Sequence, residues 1–489
     1  MARTTPSDPL QRIAFQAAAG PAVGGGHVVR SLSLADALAM QDASCTFFVD
    51  AQTIRSTQLL SRSSHAVIPH QGPAPPVGSG SFDWTVLDDY VLMAADETPW
   101  RKVSRNILVL DDLANRRHDC DLLVDSTPSR RARDYAALVS PSTRLLLGPN
   151  YAPLRGEFAL RRAEALARRE TTIHPARLLV SFGLMDPGGI TARAVSAISK
   201  AMPDLAMDVV LGPMAQSLEA LKALACPTVT LHYNPPSMPE LMIAADLALG
   251  AAGSTAWERA ALGLPSVALI LADNQRTLAQ DLAQKGILST VEQNEDWPLV
   301  IATLKQLREN GESWRTMSRR AALFCDGRGA NRVALEMNPP LSRRGQPVRL
   351  RPAADRDADL IFQWQNAPGA REFSSNPKPP ERQEHEAWMA RKLSEPRCVF
   401  NIITESDLPV GVIRLDQRLD GSFMTSILVA DQARGRGVGG AALTAGARLM
   451  RGADLWARID PRNTASLRSF ASAGFLLQEN GLYRRIAAP

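Results

Sequence analysis

The sequence predicts an α/β protein: two doubly wound parallel sheets in succession, then a separate mixed α/β domain. Three observations carry this. Short apolar runs alternate with helical patterns over about the first 150 residues. The alternation restarts after a basic helical stretch at 160–169. Composition then shifts at 338–352, NPPLSRRGQPVRLRP, where proline, arginine and glycine mark a linker. The chain has 489 residues, 45% of them hydrophobic, enough for about three cored domains. The expected boundaries are 1–158, 159–337, a linker at 338–348, and 349–489.

The first half reads as a strand at 13–16, the turn Gly24, Gly25, Gly26 and His27, and a helix over 28–40 with leucine and alanine at helical spacing. Strands follow at 46–49, 84–87, 106–110 and 122–125, and the proline- and glycine-rich segment 66–80 reads as loop. The strands at 84–87 and 106–110 end on Asp88, Asp89, Tyr90 and on Asp111, Asp112. In the second half, strands are expected at 177–182, 207–211, 228–231 and 247–249, with a helix over 191–201. These are two Rossmann-like halves whose ligand cleft is expected at the carboxyl ends of the strands.

Net charge is +5, which permits acidic ligands and does not argue for DNA or RNA. The pairs Arg130/Arg131, Arg161/Arg162 and Arg168/Arg169 alternate with alanine, leucine and glutamate and read as solvated helix faces. Five cysteines, Cys45, Cys120, Cys226, Cys325 and Cys398, are dispersed and odd in number. They suggest neither a zinc site nor a disulfide framework, and fit a reducing cytoplasm. The N-terminal stretch has no apolar signal core, and no run is long enough to span a bilayer, so no stable membrane insertion is expected.

Residues 250–275, GAAGSTAWERAALGLPSVALILADNQ, concentrate the chemistry. An apolar strand stops at Gly250, and Gly253 allows a sharp turn. Ser254 is a good N-cap for a helix over 255–262. The free amides and positive dipole end there suit a phosphate. Glu258, one turn on, is placed to accept hydrogen bonds from vicinal ribose hydroxyls, and a second strand ends on Asp273, Asn274 and Gln275. An ordinary βα corner would show the glycines; Glu258 with the Asn-Gln pair favours a nucleotide-sugar site.

In the last domain, Arg434, Gly435, Arg436, Gly437, Val438 and Gly439 follow a strand at 426–429 and open a helix over 440–450. Small residues there let backbone amides wrap a pyrophosphate at a helix N-terminus. Asn463 and Ser466 follow a strand at 455–459, and residues 469–474 lead into Phe475. Leu350, Arg351 and Pro352 start a strand, Asp355 and Asp357 start a helix that ends on Trp364, Gln365 and Asn366, and 385–388 lie on the next helix. This set resembles the GNAT acetyltransferase family over 347–489. The resemblance implies acetyl-CoA as co-substrate, with 434–439 on its pyrophosphate, Val429 beside it, Asn463 along the pantetheine arm and Ser466 near the thioester. Tyr483 is a candidate acid for the departing thiolate, although a plain core tyrosine is the favoured reading of it.

Residues 12–335 are similar to the UDP-sugar hydrolase family of the pseudaminic acid pathway, which has the glycosyltransferase-B architecture. The matching residues are Gly24 to His27 with Arg30, Leu34 and Ala35; Asp88 to Tyr90; Asp111 to Ala114; His118 to Asp121; Gly148 to Arg155; Ser181 to Gly183; Asp186 and Pro187; Gly253 and Ser254 with Trp257 and Glu258; Asn274 and Gln275; and Asp326 to Arg332. The resemblance implies His27 as a base for water, kept neutral by a helix N-terminus. It places Tyr90 and Asn274 beside the sugar. Gly26, Phe182, Gly183, Gly253, Ser254, Glu258 and Gln275 would take UDP. Two departures stand out. Gln16 and Ala18 occupy positions where the family has Arg and Asp, and Leu184 and Met185 replace a second glycine before Asp186.

Together these features point to a bifunctional enzyme. One half would hydrolyse a UDP-diacetamido-trideoxy hexose, and the other would N-acetylate a UDP-4-amino-4,6-dideoxy sugar, for surface or flagellin glycans. A glycosyltransferase passing sugar to an acceptor, and a non-catalytic UDP-sugar-binding protein, are the alternatives. Val91, Leu92 and Met93 are a slight hint of a membrane-facing apolar patch. No metal is expected, and neighbouring pathway enzymes are candidate partners.

Overall fold

The computed structural model describes residues 11–20, 24–184, 186–224, 226–292 and 296–487. The chain forms two compact units, Met1–Val333 and Ala334–Pro489.

The first unit holds two parallel sheets. The first runs β3-β2-β1-β4-β5-β6-β7, from β1 Gln11–Ala17, β2 Ala43–Val49, β3 Ala66–Pro69, β4 Phe82–Asp88, β5 Ser104–Leu110, β6 Leu122–Asp125 and β7 Arg144–Leu147. Strands such as NILVL in β5 are apolar on both faces because helices cover both sides of a parallel sheet. Phe15 of β1 pairs in register with Phe47 of β2, and their rings stack at 4.7 Å. The strand order reverses between β1 and β4, which makes that junction the ligand crevice of a doubly wound sheet. The helix Gly26–Ala39 leaves β1 there, and Asp88 ends β4 beside it.

The second sheet repeats the plan as β10-β9-β8-β11-β12-β13: β8 Arg177–Ser181, β9 Ala206–Leu211, β10 Val229–Tyr233, β11 Leu247–Ala251, β12 Ser266–Leu269 and β13 Ser289–Val291. Its switch point lies between β8 and β11, where Gly183 and Gly253 sit. The expected pair of Rossmann-like halves is present.

The second unit is a mixed sheet ordered β14-β15-β16-β17-β18-β20-β19. Its strands are β14 Val348–Pro352, β15 Cys398–Glu405, β16 Leu408–Gln417, β17 Phe423–Val429, β18 Leu455–Arg458, β19 Leu476–Glu479 and β20 Leu482–Arg485. All neighbours are antiparallel except β17 and β18, which pair in parallel through only two registered positions, Phe423 with Leu455 and Met424 with Trp456. Beyond Met424 the two strands are no longer paired, which leaves an opening in the sheet. The helices Val438–Leu449 and Thr464–Ser472 follow these two strands.

Several expectations are corrected. The segment 66–80 is not all loop: it begins with β3, an edge strand, where Pro69 is tolerated because one side of the strand is unpaired. The β12 strand stops at Leu269, and Asp273–Gln275 form a 3-10 turn instead of a strand end. Leu350, Arg351 and Pro352 close β14 and do not open it. The arginine pairs are not solvated faces throughout. Arg162 is 2% exposed and donates to the carbonyls of Ala261, Ala322 and Cys325. Arg169, also buried, donates to those of Met242, Ile243 and Ala245, and burial lowers its pKa to about 9. Both tie the helix Gly156–Thr171 to chain segments that end nearby, a long-range partnership that spacing along one helix does not reveal. Among the described residues no helix is long and apolar enough to cross a membrane.

Candidate functional sites

In the first unit the two switch points meet. His27 stands in the first turn of the helix Gly26–Ala39 and is only 3% exposed. Its ring lies edge-on to Tyr90, with centroids 4.2 Å apart. Neither ring nitrogen has a hydrogen-bond partner among the described residues. Burial pushes the imidazole below its ordinary value, and Arg30 adds to this against the pull of Asp88 and Asp112. Burial, and not the helix N-terminus, is the leading cause of that lowering.

Tyr90 follows β4. Its hydroxyl oxygen accepts a hydrogen bond from Asn274 Nδ2 of the second half at 3.0 Å. Burial raises its pKa to about 12, so the hydroxyl keeps its proton. His27, Tyr90 and Asn274 thus form one cluster. The neighbouring carboxylates are already engaged. Arg30 forks onto Asp88 at 2.5 and 2.8 Å and reaches Asp112 at 3.1 Å, and Ser31 Oγ donates to Asp88 at 3.2 Å.

Opposite this cluster, a Cβ added at Gly26 would lie 3.6 Å from Ser254 Oγ, and one at Gly253 would lie 3.6 Å from Gln275 Nε2. Ser254 precedes the helix Thr255–Ala261 but does not cap it through its side chain. Its backbone is already helical (φ −54°, ψ −31°), so the hydroxyl is not set to accept from the next turn. Gln275 Oε1 accepts from the amide of Leu271 at 3.2 Å. Glu258 is 5% exposed; burial raises its pKa while Arg155, 3.3 Å away, opposes that shift. Phe182 is packed into the core of the second half, and Gly183 turns the chain at φ 88°.

Sequence reasoning gave Arg155 no role of its own. Arg155 lies 103 residues from Glu258, so no local spacing signals the pair. A Cβ on Gly25 would come within 2.5 Å of Leu184 Cδ1, so the bulky Leu184 is accommodated because its neighbour is glycine. Met185 lies outside the described residues. Gln16 donates to the carbonyl of Gly72 at 2.7 Å, which commits its amide nitrogen to holding that loop. In the expected apolar patch, Val91 and Met93 are exposed and Leu92 is buried.

The second unit holds a cleft of about 1880 Å³. Val429, Arg434, Gly435, Gly437, Val438, Gly439, Asn463 and Ser466 all line it, as does Tyr483. Gly437 precedes the helix Val438–Leu449 at φ 82°, a left-handed conformation that favours glycine. Arg436 is the exception: it is not part of the lining and pairs with the buried Glu405 at 3.3 Å. Asn463 Oδ1 accepts from the amide of Ser466 at 3.0 Å and so caps the helix Thr464–Ser472. Tyr483 of β20 is half-buried against the core while lining the cleft, which accommodates both readings of it. Glu384, His385, Trp388 and Arg414 also line this cleft. Arg414 stacks over Trp388 with its guanidinium carbon 5.4 Å from the ring centroid, and His385 Nε2 meets the carbonyl of Ala358 at 2.8 Å. Among the described residues no group of three or more His, Cys, Asp or Glu side chains is arranged to hold a metal ion.

The chain is similar to an uncharacterized protein of Methanocaldococcus jannaschii, 24% identical over 273 residues, covering 54% of this chain and 56% of that protein. The chain thus spans little more than half the length of that curated relative. Among solved structures, Acinetobacter baumannii MurG is 17% identical, covering 67% of this chain and 99% of that one with a TM-score of 0.48. Mycobacterium smegmatis RimJ in complex with CoA-disulfide is 20% identical, covering 30% of this chain and 85% of that one with a TM-score of 0.25. Residues 214–333 match the glycosyltransferase family 28 C-terminal domain, and residues 348–476 match the acetyltransferase (GNAT) domain, so the chain carries one domain of each kind.

Proposed function

We propose that the chain is a bifunctional nucleotide-sugar enzyme of pseudaminic-type nonulosonic acid synthesis. Its first unit hydrolyses a UDP-2,4-diacetamido-2,4,6-trideoxy hexose to free sugar and UDP. Its second unit N-acetylates a UDP-4-amino-4,6-dideoxy sugar with acetyl-CoA. The observation that carries the first activity is His27, which is buried, held below its ordinary pKa and unpartnered at both ring nitrogens beside Tyr90. A neutral imidazole in that state can accept a proton from water. The water oxygen then bonds the anomeric carbon as the bond to the β-phosphate oxygen breaks, and UDP departs. Gly26, Gly253, Ser254 and Gln275 are assigned to the diphosphate and base, Glu258 to the ribose, and Tyr90 and Asn274 to the sugar.

In the second unit the glycine loop suits a phosphate, because Gly435 leaves its backbone uncovered by side chains and the helix Val438–Leu449 starts just beyond. Bound acetyl-CoA would supply an activated acetyl thioester. Residues 434–439 are assigned to its phosphates, Asn463 and Ser466 to its arm, and Tyr483 to proton delivery onto the departing thiolate. Neither unit's assignment requires a metal.

A second reading has one observation in its favour, the glycosyltransferase family 28 match over 214–333. In it an acceptor hydroxyl replaces water in the same cleft. Mass spectrometry of the purified chain distinguishes these outcomes. Incubation with acetyl-CoA and the UDP-4-amino sugar should add an acetyl group, and the UDP-diacetamido altrose form should release UDP and free sugar. His27→Ala should lose only the second reaction. Release only when an acceptor is added would establish transfer, and tight UDP-sugar binding without turnover would leave a binding protein.

A further inference from the structure

We propose that Arg343 binds the phosphates of the coenzyme from a hairpin outside the glycine-loop motif. This rests on the reading of residues 434–439 as the coenzyme loop. Residues 340–348 fold back on themselves just before β14. The amide of Val348 donates to the carbonyl of Pro340 at 2.8 Å, that of Ser342 to Gln346 at 2.8 Å, and that of Gly345 to Ser342 at 3.0 Å. The last bond closes a β-turn with Arg343 at its first corner. Ser406 pins the hairpin to the sheet, its amide donating to Pro347 at 3.1 Å and its hydroxyl to Gln346 at 2.6 Å.

This turn is docked on the glycine loop. The amide of Arg343 donates to the carbonyl of Arg436 at 2.8 Å. A Cβ placed on Gly437 would lie 2.7 Å from Arg343 Cγ and 3.1 Å from its nitrogen. The stem of Arg343 therefore lies over Gly437, one of the two loop glycines with positive φ, and Arg343 lines the cleft with Arg434 and Gly435.

Charge completes the case. The two arginines of the motif are engaged by carboxylates, Arg434 by Asp431 at 2.9 Å and Arg436 by Glu405 at 3.3 Å. Arg343 is exposed and has no carboxylate partner among the described residues. A guanidinium with all its donors available, held by its own backbone against a phosphate-suited loop, matches a phosphate oxyanion in charge and geometry. Arg344, next in the turn, is also exposed but does not line the cleft.

The test is calorimetric titration of the full chain with CoA. Arg343→Ala should weaken binding about ten-fold, the scale of one lost charge-assisted contact. Arg343→Lys should restore most of it, and Arg344→Ala should bind as the wild type does. The loss of kcat/KM with acetyl-CoA should exceed by about ten-fold the loss with S-acetyl-N-acetylcysteamine, a donor without phosphates. CoA should also protect the 343–344 bonds from trypsin in the wild type and less so in Arg343→Lys. Equal CoA affinity in Arg343→Ala, or equal losses with both donors, would overturn the proposal. A wild-type chain that binds no CoA would instead overturn the coenzyme reading beneath it.

Discussion

Asn274 and Tyr90 lie 184 residues apart in the chain and meet in a single hydrogen bond of 3.0 Å, amide nitrogen to phenolic oxygen. The bond joins the turn after β4 to the turn after β12, so each half positions a side chain of the other. Asn274→Ala removes the donor and Tyr90→Phe the acceptor. Each should lower kcat/KM for UDP release by about ten-fold or more. If the two act as one unit, the double variant should lose little beyond the worse single one. Fully additive losses in steady-state kinetics would show that the bond does no positioning.

Acid should affect His27 before alkali does. Its pKa lies below the ordinary 6.5 in the folded chain because burial disfavours the imidazolium. The unfolded chain therefore takes up a proton below about pH 6.5 that the folded chain refuses. Stability from the neutral ring is fully present above that pH and is lost as pH falls from 6.5 toward the depressed folded value. The acid limb of UDP release should likewise lie below pH 6.5. A His27→Gln protein should show a flatter fall of melting temperature with acid over this window. An acid limb above 6.5, or an unchanged melting profile, would rule out a buried neutral base.

The alternation of strands and helices was legible because both sheets are parallel, with continuous apolar strands between glycine turns. The placement of His27 and Tyr90 was legible because one opens the helix after β1 and the other follows β4, the two strands between which strand order reverses. What escaped was set by contacts between distant segments. Arg162 looks like a surface residue in LRRAEALARRE, yet its partners lie 99 to 163 residues away. Arg155 and Glu258 are separated in the same way. The Ser254 cap failed for a local reason, since the helical backbone starts at that residue and turns the hydroxyl toward Gly26 instead.

Asn463 combines a structural and a proposed binding role, and two substitutions separate them. Its side chain caps the helix Thr464–Ser472 through the amide of Ser466 at 3.0 Å. Asn463→Ala should cost about 1 kcal/mol of stability and also raise KM for acetyl-CoA. Asn463→Ser keeps a capping oxygen and should recover the stability, while KM stays raised if the amide itself meets the pantetheine arm. Recovery of both in parallel melting and acetylation assays would reduce Asn463 to a cap.

Two adjacent arginines give the sharpest contrast in stability. Arg161 pairs at the surface with Glu164 at 2.7 Å and Glu240 at 3.5 Å. Exposed pairs of this kind contribute about 0–1 kcal/mol, so Arg161→Met should barely move the unfolding transition. Arg162→Met should cost about 3 kcal/mol, because a charged donor is removed and three buried carbonyls lose it. Arg162→Lys should recover only part, since one ammonium cannot reproduce the planar fork that reaches Ala261, Ala322 and Cys325 together. Scanning calorimetry of the full chain reads all three variants. Equal behaviour of the 161 and 162 variants would mean that the buried guanidinium is not what fastens the helix Gly156–Thr171 to the rest of its unit.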